Sequence, residues 1–261
     1  MTDVQRRYDG DAAGYERWWA PVLHSAMQPL LESVAWSGVE VAVEIGCGTG
    51  GVLSDVRQRA PSAKMLGLDL SAGMLSRNKH RAHVARADAQ ALPLMTGSID
   101  LIVCGFVMQH VSAPALTFGS VARVLRAGGG FALAAWIAPR GGWVTLGEQI
   151  LNDELDRVGA PVQPDTRPGG AATDSPEKLE AFVSAAGLSI DAVSRQPLRW
   201  RPTVDDLVAQ LTSMRSTGRR FAQLDERAAE RVRAASLARL ATLEQPLDPP
   251  HHICYVWAHK A

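Results

Sequence analysis

Val41-Ala42-Val43-Glu44-Ile45-Gly46-Cys47-Gly48-Thr49-Gly50-Gly51 decides the fold. It starts as a short apolar run, as a buried parallel strand does. It then breaks into four glycines within six residues. Glycine reaches positive φ and lets a ligand come close to the backbone. Ser54–Gln58 follows with a helical pattern. Strand, glycine loop and helix together aim backbone N–H groups and a helix N-terminus at a ligand.

The spacing of Gly46, Gly48 and Gly51 also satisfies G-x-G-x-x-G, which leaves a nicotinamide dinucleotide reading open. Three acids shift the balance. Glu44 lies two residues before the first glycine, where a carboxylate can accept from an ammonium group. Asp69 ends a second apolar run, Met65-Leu66-Gly67-Leu68, where an acid can hold a ribose diol. Asp88, in Ala85-Arg86-Ala87-Asp88-Ala89, ends a third strand and can accept from an adenine amine. Acids so spaced suit a ligand with an amino acid end, a ribose and an adenine, and no phosphate. S-adenosyl-L-methionine (SAM) is such a ligand.

The chain resembles the class I SAM-dependent methyltransferases, and within them the small-molecule group around the ubiquinone and menaquinone biosynthesis enzymes. The segments VEIGCGTGG, LGLDLSAGML, ADAQALPL, SIDLIVCGFVMQHV and RVLRAGGGFALAAW carry the resemblance, in order, across Val41 to Trp136. It implies an α/β, Rossmann-like seven-stranded sheet, mostly parallel with an antiparallel edge strand. Helices cover both faces, and an N-terminal helical lid closes over the cofactor. It also implies cofactor contacts from Glu44, Gly46, Cys47, Gly48, Gly50, Asp69, Leu70, Met74, Asp88, Ala89, the backbone near Cys104, and Tyr15 of the lid. Acceptor contacts are expected from Trp19, Phe106, Gln109, Trp136 and Trp143. His110 is the best-placed base, with structural packing as its alternative. The lack of Asn/Asp-Pro-Pro-Tyr after the fourth strand argues against amide or nucleobase nitrogen as acceptor, and no acidic cluster suggests a metal.

At 261 residues, 46% hydrophobic and 21% charged, the chain can bury a large core. One domain is expected over 1–261: a helical lid at 1–36, a cofactor core at 37–137, a lid insertion at 138–173, and strands and helices at 174–261. Zero formal charge argues against binding a nucleic-acid backbone. Cys47, Cys104 and Cys254 fit no zinc spacing and suit buried thiols in a reducing cytoplasm. No secretory signal follows Arg6-Arg7, and no apolar stretch is long enough to span a membrane. Few lysines among the basic residues suit a GC-rich bacterial genome.

Strands are expected near 40–45, 64–69, 82–86, 99–104 and 130–136, with Gly128-Gly129-Gly130 as a turn before the fifth. A helix over Asp11–Trp19 is expected to stop at Pro21, and another at 203 to carry Leu207, Leu211 and Met214 on one face. Arg215, Arg219, Arg220, Arg227, Arg231, Arg233 and Arg239 interleave with Asp225, Glu226 and Glu230, which reads as a solvated, salt-bridged face. The function expected is SAM-dependent methyl transfer to a small apolar or aromatic metabolite, oxygen favoured over nitrogen or carbon. The alternatives are a SAM-binding scaffold that transfers nothing, and a nicotinamide-dependent oxidoreductase. Glu44, Asp88 and the absence of a Tyr-x-x-x-Lys pair speak against the last.

Overall fold

The computed structural model describes residues 2–78, 83–138, 142–162, 167–200, 202–243 and 251–261, with backbone only at 142–144. Val41–Ile45 forms β1. It pairs in parallel with β2 (Lys64–Asp69) on one side and β4 (Ile99–Gly105) on the other. β3 (His83–Arg86), β5 (Leu125–Ile137), β6 (Leu188–Pro197) and β7 (His252–Lys260) complete a seven-stranded sheet of order β3-β2-β1-β4-β5-β7-β6. β7 runs antiparallel to both β5 and β6, one place in from that edge. The sequence order of the strands reverses between β1 and β4. In open α/β sheets the ligand crevice lies beyond the carboxyl ends at such a point.

Period-two alternation splits the central strands between two cores. Val43, Ile45, Ile102 and Cys104 face one side, with Phe118 of α5 (Pro114–Val124) and Leu179 and Val183 of α7 (Pro176–Ala185). Ala42, Leu101 and Val103 face the other, with Leu30 and Leu31 of α2 (Ala20–Glu32) and Leu53 and Val56 of α3 (Gly51–Arg59). A third apolar cluster joins α6 (Gly142–Arg157), α8 (Val204–Ser213) and α10 (Glu226–Ala241) through Leu151, Leu155, Leu207, Leu211, Val232 and Leu240.

Four local expectations need correction. The chain does not stop at Pro21. α1 (Asp3–Gly14) runs through a π-helical turn, Tyr15–Trp19, into α2. Pro21 falls in the first turn of α2, directly after the π-helical turn. The glycine triplet lies inside β5. Pairing jumps from Ile99↔Leu125 to Leu101↔Gly130, so residues 126–129 bulge from the ladder, with Gly128 at φ 73°. The helix expected at 203 is two, α8 and α9 (Arg215–Phe221), separated by an extended Met214. Asp11 of α1 holds the break by accepting from the Arg215 N–H at 3.0 Å. Arg227, Arg231 and Arg233 are exposed as expected, but Arg215 and Arg220 turn inward. Arg220 is 3% exposed and donates to the carbonyls of Ala160 and Pro161 and to Asn152.

Candidate active site

The loop after β1 is a backbone device. Gly46, Gly48 and Gly50 all have positive φ, and a Cβ on Gly46 would lie 2.1 Å from the Val107 side chain. Gly46 and Cys47 N–H donate to the Leu68 carbonyl, which folds the loop onto β2. Asp69 at the end of β2 then fixes it. One carboxylate oxygen accepts from Gly48 N–H at 2.9 Å, the other from Ser71 N–H at 2.8 Å. Burial pushes the Asp69 carboxyl upward in pKa, and these N–H groups oppose the shift.

Ser71 caps α4 (Ala72–Ser76) and donates its hydroxyl to Asp9 at 2.6 Å. Gly73 N–H donates to the same Asp9 oxygen at 2.9 Å. The lid helix α1 is thereby latched over the carboxyl edge of the sheet. Asp88, at the end of β3, accepts from the Gln90 backbone N–H at 2.9 Å.

A cavity of about 170 Å3 opens above this edge. Of the expected cofactor residues, Tyr15, Gly46, Gly48, Asp69, Leu70, Met74, Asp88 and Ala89 line it. Of the expected acceptor residues, Trp19, Phe106, Gln109, His110 and Trp136 do. Glu44 and Cys47 line a smaller adjoining cavity of about 40 Å3, which shares Tyr15, Gly46 and Phe106 with the first. Gly50 and Cys104 line neither; Cys104 is fully buried, and its neighbour Gly105 lines both instead. The Trp143 side chain lies outside the described residues.

Glu44 is the electrostatic oddity. It is 5% exposed, and its Oε2 has no hydrogen-bond partner. Burial, reinforced by the nearby Asp69 and Asp55 carboxylates, pushes its pKa well above the ordinary range. A buried acid beside an open volume is complementary to a cation that would enter there. Two residues that line the cavity, Phe106 and Arg215, have left-handed backbone, Arg215 at φ 68°. Phe106 is the bulkier case. It has φ 59°, which a bulky L-residue seldom adopts. Its N–H is held by the Ala134 carbonyl, and its ring stacks on Trp136 at 4.4 Å.

The lid contributes more than the sequence indicated. Arg7, Tyr8 and Asp11 of α1 also line the cavity, as do Arg167, Met214 and Arg215. Tyr8 sits seven residues before Tyr15, on the same helical face, and that spacing could have singled it out. The Tyr8 hydroxyl lies 2.8 Å from His110 Nε2, and Arg7 Nη2 lies 3.0 Å from His110 Nδ1. The Tyr15 ring covers the loop at Gly48.

Residues 43–133 match a family model described as a methyltransferase domain. The chain is 34% identical over 140 residues to a malonyl-(acyl-carrier protein) O-methyltransferase of Geobacter sulfurreducens, covering 50% of this chain and 52% of that protein. It is 31% identical over 99 residues to a demethylmenaquinone methyltransferase of Symbiobacterium thermophilum, covering 34% and 39%. The chain thus spans about half or less of the length of these relatives. The fold is similar to that of Haemonchus contortus phosphoethanolamine N-methyltransferase 2, solved with S-adenosyl-L-methionine. The TM-score is 0.58 and identity 14%, with 100% of this chain and 60% of that one covered.

Proposed function

From the methyltransferase domain that this chain carries at residues 43–133, we propose that the protein transfers a methyl group from SAM to a small apolar or aromatic metabolite, oxygen being the favoured acceptor atom. The observation that carries the reading is Glu44, a buried acid with an unpartnered oxygen at the foot of the glycine loop. An ammonium group is what that oxygen lacks. Asp69 and Asp88, at the ends of the next two strands, then stand for the ribose and the adenine, with Leu70 and Met74 flanking the ring. Glycine at 46 and 48 keeps the loop backbone clear of side chains.

SAM, when bound, supplies a methyl group already activated on a sulfonium. The chain's own residues therefore need mainly to align and to exclude water, and alignment can supply roughly 7–11 kcal/mol of a barrier. Phe106, Trp136 and Trp19 each bring an aromatic ring to the cavity lining, which suits a flat, apolar acceptor. Tyr15 roofs the loop from the lid side. The test is incubation of the protein with methyl-labelled SAM and a small-molecule cell extract. S-adenosylhomocysteine release and labelled products are followed by mass spectrometry, with Asp69→Ala as control. A labelled metabolite lost in the variant is expected. SAM binding with no labelled product would move the reading to a non-transferring scaffold.

A further inference from the structure

We propose that the rings of Tyr15 and Phe106 seat the sulfonium of SAM, and that this seat separates the charged cofactor from its neutral product. The inference rests on the methyl-transfer reading and deepens it.

The first support is the join between the two cavities. Glu44 lines only the smaller one, and Asp69 and Asp88 line only the larger. In SAM the sulfur lies between the amino acid end and the ribose. A molecule whose ammonium meets Glu44 and whose ribose meets Asp69 passes its sulfur through the join. Tyr15, Leu23, Gly46, Gly105 and Phe106 line both cavities. Among the described residues these five are the shared lining, and none carries a charge. A Cβ on Gly105 would lie 2.6 Å from the Met27 sulfur, so that part of the wall stays bare backbone. The aromatic faces at the join are those of Tyr15 and Phe106.

The second support is the chemistry of the two rings. A sulfonium has no N–H or O–H to donate, so an aromatic face suits it better than a hydrogen-bond acceptor. The attraction comes from the ring quadrupole and grows where water is excluded. Burial first, then Tyr8, Asp69 and Glu44, pushes the Tyr15 hydroxyl upward in pKa. Tyr15 therefore stays a neutral phenol, within the field of both acids that bracket the ligand. Phe106 is buried at the end of β4, with Trp136 packed on its ring. In transfer the S–CH3 bond breaks and its electron pair stays on sulfur. A lone pair of the acceptor forms the new bond to carbon, and the proton of an acceptor hydroxyl passes to water. The sulfur is then a neutral thioether, and the attraction of both rings is gone.

The test is calorimetric titration of the full chain with SAM and, separately, with S-adenosylhomocysteine. The unaltered chain should bind SAM the tighter. Tyr15→Leu and Phe106→Leu should each lower that preference about fivefold, as one cation–π contact predicts. They should do so by weakening SAM, while S-adenosylhomocysteine binds nearly as before. Tyr15→Phe keeps the aromatic face without the hydroxyl and should keep the preference. Equal binding of the two ligands by the unaltered chain overturns the proposal. So do leucine variants that weaken both ligands alike, or a Tyr15→Phe chain that loses the preference as Tyr15→Leu does. If Phe106→Leu binds neither ligand, the two Tyr15 variants decide by the same ratio. Failure of the unaltered chain to bind either ligand contradicts the methyl-transfer reading instead.

Discussion

Glu44 is an acid where a folded chain tolerates one poorly, and its effect on stability has a definite sign. Its folded-state pKa is raised from 4.5 by burial first, then by Asp69 and Asp55. Below that value both folded and unfolded chains hold the proton. As pH rises above it, the unfolded chain ionises and the folded one resists, so stability is lost with rising pH. Glu44→Gln should therefore stabilise the free protein at pH 7 and change little at pH 4, as read by urea unfolding at both. The same variant should bind SAM about tenfold more weakly, because a charge-assisted hydrogen bond is missing. Phe106 gives a second prediction. Ala and Gly both lose the stack on Trp136, but only Gly is relaxed at φ 59°. Phe106→Gly should be the more stable by about 1 kcal/mol, opposite to ordinary propensity. Glu44, Asp69 and Asp88 were legible in the sequence because strand ends and a glycine loop fix their places. Arg7, Arg167 and Arg215 were not, because only tertiary folding brings a lid helix, a loop and a helix start to one cavity.

At the scale of elements, Asp9 ties α1 to α4 beside the cavity. Asp9 stays charged through neutral pH, its carboxyl held below the usual range by the Ser71 hydroxyl and the Gly73 N–H. A Cβ on Gly73 would sit 2.8 Å from the Asp9 backbone, so that contact admits only glycine. Gly73→Ala should lift α1 without unfolding the sheet. Hydrogen exchange of residues 3–14 should quicken about tenfold or more, the loss of roughly 2 kcal/mol of hydrogen bonding, while β1 and β4 keep their protection. Unchanged exchange in α1 would mean that the latch does not hold the lid. Strand β3, His83-Val84-Ala85-Arg86, is an exposed edge strand whose place followed from the alternation of strands and helices around it, whereas β1, β2 and β4 were readable from apolar runs. Continuity through Pro21 was not, because a π-helical turn is set by packing rather than by propensity. The Met214 break was hidden likewise, since Asp11 imposes it from two hundred residues away in the chain.

Across the whole molecule, a mostly parallel sheet with its own two cores supports a helical layer with a third. α1 touches that layer closely: a Cβ on Gly14 would lie 2.7 Å from the Ser213 carbonyl. Arg220 ties the layer together through four acceptors from α6 and the segment after it. Arg220→Ala should destabilise by about 3 kcal/mol, through a lost side chain and orphaned carbonyls. If the layer opens on its own, exchange in α6, α8 and α10 will rise before exchange in the sheet. Alternating strands and helices made the sheet legible from sequence. The layer was hidden because its apolar stripes have no partner until the chain has folded. Among the described residues no helix is long and apolar enough to cross a membrane.

Equilibrium binding of SAM to the full chain, by calorimetry in two buffers of different ionisation enthalpy, tests the central claim most directly. A bound ammonium would favour the ionised form of Glu44. The account predicts a single-site isotherm with proton release, with Asp69→Asn abolishing binding and Glu44→Gln abolishing the proton release. No binding of SAM, or tighter binding of NADH than of SAM, would contradict it.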